Sequence, residues 1–292
     1  MLPLAMITGA VAWPLVSRLA FITPVLIFLM LLLTFSKLSP RDIKIRQEHI
    51  WLLLIQIIGS LCIYMLLLYV HPVVAEGAMV CVLAPTATAA AVITGLLGGS
   101  VAFLTAYLLF CNIAVAIVAP VLFSFIGVHQ DIPFWNSFLL ICSQVAPVLL
   151  LPLGAAWLIR YTLPVLQKQM EKIRGVSFYL WAIGLTIVTG STVRFLLQEE
   201  LDIRMVAMLA GVSLVICVGQ FLLGRKIGWR NNDPVSAGQG LGQKNTILAI
   251  WMAQVYLNPV SSIAPAAYVL WQNSINSYQL WLKARSDKQR KI

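Results

Sequence analysis

Apolar residues run through this chain in long unbroken stretches with short polar segments between them. Trp51 to Val70, Val101 to Val128, Phe134 to Ile159 and Val206 to Gly224 contain no charged residue. Each is about as long as the roughly 20 residues with which a helix crosses a bilayer, or longer. The stretches are apolar on every side and do not alternate at every second position. They therefore read as membrane helices and not as the strands of a barrel. The pattern predicts spans at residues 3–17, 19–36, 50–69, 74–97, 100–126, 134–159, 176–197, 205–224, 234–257 and 260–282. Short loops join them, so a single transmembrane domain over residues 1–292 is expected. The fold class is an all-α integral membrane protein of about ten transmembrane helices.

Composition agrees. The chain is 60% hydrophobic and 10% charged, with a mean hydropathy of +0.91, against roughly 25% charged residues in soluble domains. The net charge of +10 would suggest nucleic acid in a soluble protein. Here the basic residues lie between spans, so the bilayer is the expected partner and nucleic acid is not. Lys37, Arg41, Lys44 and Arg46 follow the second span, and Arg160, Lys168, Lys172 and Arg174 the sixth. Arg225, Lys226 and Arg230 follow the eighth, and Lys283, Arg285, Lys288, Arg290 and Lys291 form the tail. The opposite loops carry only Arg18, Arg194 and Arg204. Basic residues accumulate on the cytoplasmic side, so both termini are expected there. Arg18 follows the first apolar stretch where a signal peptide would place its charge before it, which favours a first span. Cys62, Cys81, Cys111, Cys142 and Cys217 all fall in apolar runs without a CxxC pair and read as small hydrophobes, with no disulfide or metal. Neither an HExxH motif nor an acidic pair inside the membrane is present, and His49, His71 and His129 lie at span ends. No enzyme and no cofactor are expected.

Two spans do not read as continuous helices. The fourth contains Ala84-Pro85-Thr86-Ala87-Thr88. Proline removes a backbone donor and turns the preceding residue away from helical geometry. The ninth contains Gly238-Gln239-Gly240-Leu241-Gly242-Gln243, a poor helix interior, so Pro85, Gly240 and Gly242 are the expected break points. Backbone groups freed by a break must be buried in protein or line a cavity. Breaks in the fourth and ninth of ten spans hold corresponding places in two halves of five, the pattern of inverted-repeat transporters. The half-helix N-termini there suit anions. The plainer readings are a tolerated proline kink and a glycine face for close packing. Beside the second break stands Lys244, the one charge placed well inside the membrane, a costly position and a functional candidate.

At these residues the sequence resembles the bile acid:sodium symporter family, as a bacterial homologue. In place of that family's Pro-Gly-Gly-Thr-Ala-Ser-Asn-Val-Ile-Thr in span 4 stand Pro85-Thr86-Ala87-Thr88-Ala89-Ala90-Ala91-Val92-Ile93-Thr94. In place of Glu-x-Gly-Met-Gln-Asn in span 9 stand Gly240-Leu241-Gly242-Gln243-Lys244-Asn245. Leu38-Ser39-Pro40-Arg41-Asp42 and Trp271-Gln272-Asn273 resemble the family's loop after span 2 and its Trp-His-Asn in span 10, and Gln56 matches a family glutamine in span 3. The likeness runs in order from about residue 20 to 282. It implies a 5+5 inverted repeat with discontinuous crossing helices 4 and 9. Core helices would occupy about 50–126 and 205–282, and panel helices about 3–36 and 134–197. It also implies small or amphipathic organic anions, such as bile salts and pantoate, as substrates, and residence in the bacterial inner membrane.

The departures fall on the positions the resemblance assigns to sodium. Ala90 and Ala91 replace a Ser-Asn pair, Leu104 and Leu108 replace two hydroxyl residues, Gly240 replaces a glutamate and Lys244 a glutamine. Alanine, leucine and glycine side chains offer a cation no oxygen, and an ammonium would repel it. The usual sodium sites are therefore expected to be lost, with Lys244 supplying the positive charge. A Lys244 that gains and loses a proton would couple transport to protons; one that stays charged would bind the substrate carboxylate; one that reaches an aqueous cavity would do neither. By the same resemblance Thr88, Lys244, Asn245, Gln272 and Asn273 are the substrate-binding candidates, although polar groups on span 10 also serve to join helices. The reading is a sodium-independent organic-anion transporter. The alternatives are a sodium-coupled symporter, an uncoupled facilitator or exporter, and a membrane sensor that binds without transporting.

Overall fold

A computed structural model describes residues 2–36, 44–127, 133–172, 176–198 and 203–289, and these are almost wholly helical. The helices are α1 (Leu2–Val11), α2 (Trp13–Val16), α3 (Thr23–Phe35), α4 (Gln47–Leu68), α5 (Pro72–Leu83), α6 (Ala90–Leu97), α7 (Val101–Ile126), α8 (Phe134–Thr162), α9 (Pro164–Lys172), α10 (Val176–Gln198), α11 (Ile203–Gly228), α12 (Pro234–Gly242), α13 (Thr246–Tyr256) and α14 (Ile263–Gln289). A 3-10 segment, Ser17–Ile22, joins α2 to α3. Among the described residues, six stretches are long and apolar enough to cross a bilayer: Trp13–Phe35, Gln47–Leu68, Val101–Ile126, Phe134–Thr162, Tyr179–Leu197 and Ile203–Gly228. The molecule has the fold of a multi-pass, all-α membrane protein.

Local chemistry sets the helix starts. Proline opens α3, α5 and α12, where a missing amide costs nothing. Side chains take up first-turn amides: His71 accepts from Val73, Ser100 from Phe103, Asp233 from Ser236 and Asn245 from Leu248. Gly98, at φ +83°, ends α6 in the left-handed conformation that glycine tolerates.

Helices α1 and α3 pack on α10, and α3 also packs on α8. Elsewhere α4 packs on α5, α11 on α12, and α14 on both α11 and α5. The two groups meet through α7 against α8 and through α13 against α3 and α10. Two hydrogen bonds fasten α13: Gln254 Nε2 donates to Thr192 Oγ1 at 3.2 Å, and the Tyr256 hydroxyl to Gln144 Oε1 at 2.9 Å. Helix α6, by contrast, packs chiefly on α7, α12 and α14.

The structure differs from the sequence expectation at the second break. Gly238, Gly240 and Gly242 all lie within α12, and the interruption falls one step later, at Gln243–Asn245. The glycines are there for contact. A Cβ on Gly238 would stand 2.7 Å from Arg225 Cγ, one on Gly240 2.9 Å from Tyr107 Cδ1, and one on Gly242 would collide with the Phe221 ring. Gly240 and Gly242 therefore seat α12 against α7 and α11 and do not break it. Helix α9 lies in what was read as a loop, and α14 runs beyond residue 282. The expected Leu38–Asp42 motif lies outside the described residues, as do Lys37, Asp131, His129, Arg174, Glu199, Glu200, Asp202, Arg290 and Lys291.

Candidate functional site at the helix crossing

The broken ends of α5 and α12 cross at Thr86 and Lys244, which form an isolated antiparallel bridge. Ala87 N donates to Gln243 O at 2.9 Å and Asn245 N to Pro85 O at 2.7 Å. Each break leaves helix carbonyls without the amide four residues on, and every such buried group needs a partner.

At the α5 break, Cys81 O has no amide to accept because residue 85 is proline; Gln220 Nε2 from α11 donates to it at 3.2 Å. Val82 O loses the amide of Thr86, which turns to Cys111 Sγ at 3.3 Å. The Lys244 Nζ donates to Val82 O instead, at 2.8 Å. Leu83 O and Ala84 O are both held by Gln56 Nε2 from α4, at 2.7 and 3.1 Å.

The α12 break repeats the device. Gly240 O loses the amide of Lys244, which turns to Gln272 Oε1 at 2.9 Å. The Thr86 hydroxyl donates to Gly240 O at 2.7 Å. Gly242 O accepts from the Tyr268 hydroxyl of α14 at 2.8 Å. Each bridge residue thus sends its side chain to the carbonyl that the other bridge residue's amide has abandoned. Behind the crossing, Tyr107 donates to Gln56 Oε1 at 2.7 Å, and Gln220 Nε2 donates to the Tyr268 oxygen at 3.0 Å. A Gln–Tyr pair therefore stands on each side of the crossing, from α4 with α7 and from α11 with α14; both glutamines hold α5 carbonyls, and Tyr268 holds the α12 carbonyl.

Lys244 is 1% exposed. Its ammonium lies at the C-terminal end of α5, where the helix dipole favours a cation. Among the described residues Val82 O is its hydrogen-bond acceptor, and the thiols of Cys81, Cys111 and Cys217 lie within electrostatic reach. The positions that the resemblance assigns to sodium are filled differently. Leu104 and Leu108 are fully buried, and Leu104 stands against Gly240. Ala90 is buried and Ala91 half-buried. Gln56 is occupied by the α5 carbonyls and Tyr107.

The substrate candidates separate. Asn245 caps α13, and Thr88 stands half-buried just before α6, so both lie where the second half-helices begin. Gln272 turns its Oε1 to the Lys244 amide. The Asn273 Nδ2 donates to Val269 O, one turn back on its own helix, at 2.6 Å. Lys244 points to Val82 rather than to an open surface. The sequence reading missed Thr86, Tyr107, Gln220 and Tyr268. Their one signal was a polar atom inside an otherwise apolar run. A cavity of about 900 Å³ is an apolar groove along α8 beside Phe28 and holds none of these residues.

Compared with known proteins, the chain matches no protein-family model, and no curated protein is significantly similar to it.

Proposed function

We propose that the chain is a secondary transporter of small or amphipathic organic anions, built as ten spans in two inverted halves of five. In it a protein ammonium, Lys244, takes the place of a coupling cation. The observation that carries this reading is the reciprocal crossing at Thr86 and Lys244. A two-fold exchange of α5 with α12 carries the paired bridge hydrogen bonds and the Thr86 and Lys244 side-chain contacts into one another. The starts of α6 and α13, beside Thr88 and Asn245, then present first-turn amides to an anion, with Asn245 Oδ1 already holding the amide of Leu248. The carbonyls freed at the two breaks already accept from Lys244, Gln56, Thr86, Tyr268 and Gln220, which supports a sodium-independent cycle.

The panel of this transporter is α1–α3, α8 and α10; the remaining spans form the core. Fastening of α13 to α3, α8 and α10, without the equivalent packing of α6, supports an arrangement open towards the basic loops, with transport by movement of core against panel. Uptake of radiolabelled small carboxylates into proteoliposomes tests the reading, with sodium exchanged for choline and pH varied. Flux should persist in choline and fall strongly in Lys244→Gln. Binding without flux would instead indicate a sensor. Flux that requires sodium would return the sodium-coupled symporter. A pH profile that Lys244→Gln leaves unchanged would exclude proton coupling through this lysine.

A further inference from the structure

A second cavity, of about 290 Å³, lies where the 3-10 segment Ser17–Ile22, the end of α10 and the helix α13 meet. It is distinct from the crossing, and its walls are of two kinds. Ser17, Thr23, Ser191, Gln254 and Arg194 contribute polar groups. Phe21, Phe195 and Trp251 contribute aromatic surface. Ser191 is 4% exposed, and its hydroxyl is buried without a hydrogen-bond partner. Such a group ordinarily carries a cost unless something arrives to pair with it. Trp251 is 9% exposed and held edge-on against Tyr256, with ring centroids 5.6 Å apart. Arg194, at the exposed rim, offers the planar fork that suits a carboxylate.

We infer that this cavity is a binding site for a small aromatic monocarboxylate, on the face of the molecule away from the basic loops. The carboxylate sits between the Arg194 guanidinium and the hydroxyls of Ser191, Ser17 and Thr23. The ring lies against Trp251 and the two phenylalanines. Size sets the class: the cavity is just below the roughly 300–1,000 Å³ of pockets that take drug-sized ligands, so a benzoate fits and a sterol body does not. The site is made jointly by the 3-10 segment, α10 and α13. In the transport reading those elements are panel and core, and an anion bound there is held at the outer seam before the crossing is reached. The site itself rests on the cavity and its lining and not on that reading.

The test uses the full-length protein in lipid nanodiscs with benzoate as the probe, followed by tryptophan fluorescence and thermal stability. Benzoate should quench and stabilise the wild type. Arg194→Gln should weaken binding at least tenfold and Arg194→Lys less, while Arg204→Gln, a cation removed from the same face, should leave it unchanged. Ser191→Ala should weaken it about three- to tenfold, the worth of one hydrogen bond. Cholate should fail to compete. Absence of benzoate binding to the wild type, affinity unchanged by both Arg194→Gln and Ser191→Ala, or cholate competing as well as benzoate would each overturn the proposal. Uptake into proteoliposomes without Arg194-dependent binding sinks this site and leaves the transport reading standing. Arg194-dependent binding with no flux of any carboxylate does the reverse.

Discussion

At the scale of single residues, the crossing is a matter of accounting for backbone carbonyls in a buried place. Gln56 shows how much one amide carries: it caps two carbonyls and receives the Tyr107 hydroxyl. Gln56→Leu should lower the unfolding free energy by about 1–3 kcal/mol for each buried group left unpaired, as a drop in melting temperature in detergent. Tyr268→Phe removes the donor to Gly242 O and the acceptor of Gln220 Nε2, two partners against three, and should cost less. The glycines of α12 and α11 make a second comparison. Gly242→Ala drives a methyl into the Phe221 ring, whereas Gly211 has nothing within 4 Å of its would-be Cβ. The first substitution should destabilise by about 1–3 kcal/mol as overpacking does. Gly211→Ala should be neutral or stabilise by about 0.5–1 kcal/mol, the ordinary cost of a helical glycine. Equal melting temperatures for the two variants would mean that α12 is not seated as described.

At the scale of elements, α13 and α6 are the pair to compare, because one is fastened and the other is not. Gln254 and Tyr256 hold α13 to α10 and α8. Removing both bonds, in Gln254→Ala with Tyr256→Phe, should loosen that seam. With Cys62 and Cys142 replaced by serine, a Ser191→Cys thiol should then react several-fold faster with an impermeant maleimide than it does with the seam intact. An unchanged rate would show that apolar packing alone closes it. Most of the elements were legible in the sequence, since uncharged runs and proline starts fix where helices lie. The break at Pro85 was equally legible, as proline lacks the donor that Cys81 O needs. The break at Gln243–Asn245 was misplaced because alternating glycines signal two things, weak helix and close packing, and only the neighbours Tyr107 and Phe221 decide between them. Lys244 was found because a lone charge in an apolar run is conspicuous. Its partner Thr86 was not, because a threonine beside a proline is unremarkable until the other chain segment is laid across it. For the same reason Asn273 looked like a ligand, although its Nδ2 donates one turn back on its own helix.

At the scale of the whole molecule, the proposed loss of sodium coupling has a direct thermodynamic signature. An ion bound to the folded state at about 100 times its dissociation constant stabilises it by about 2.7 kcal/mol. Melting temperatures in sodium and in choline, at equal ionic strength, should therefore coincide, and a clear sodium-specific rise would restore the ion-coupled alternative. The bridge between Thr86 and Lys244 has a further consequence, for how the molecule exchanges its hydrogens with solvent. Interruptions in a helix are ordinarily where protection is lowest. Here the amides of Ala87 and Asn245 are locked across the two breaks at 2.9 and 2.7 Å, and the side chains of Thr86 and Lys244 tie the same breaks to the ends of α12 and α5. Deuterium should enter these non-helical amides about as slowly as it enters the middle of α7, so the crossing behaves as a rivet rather than a hinge, and the two broken helices turn together as one body.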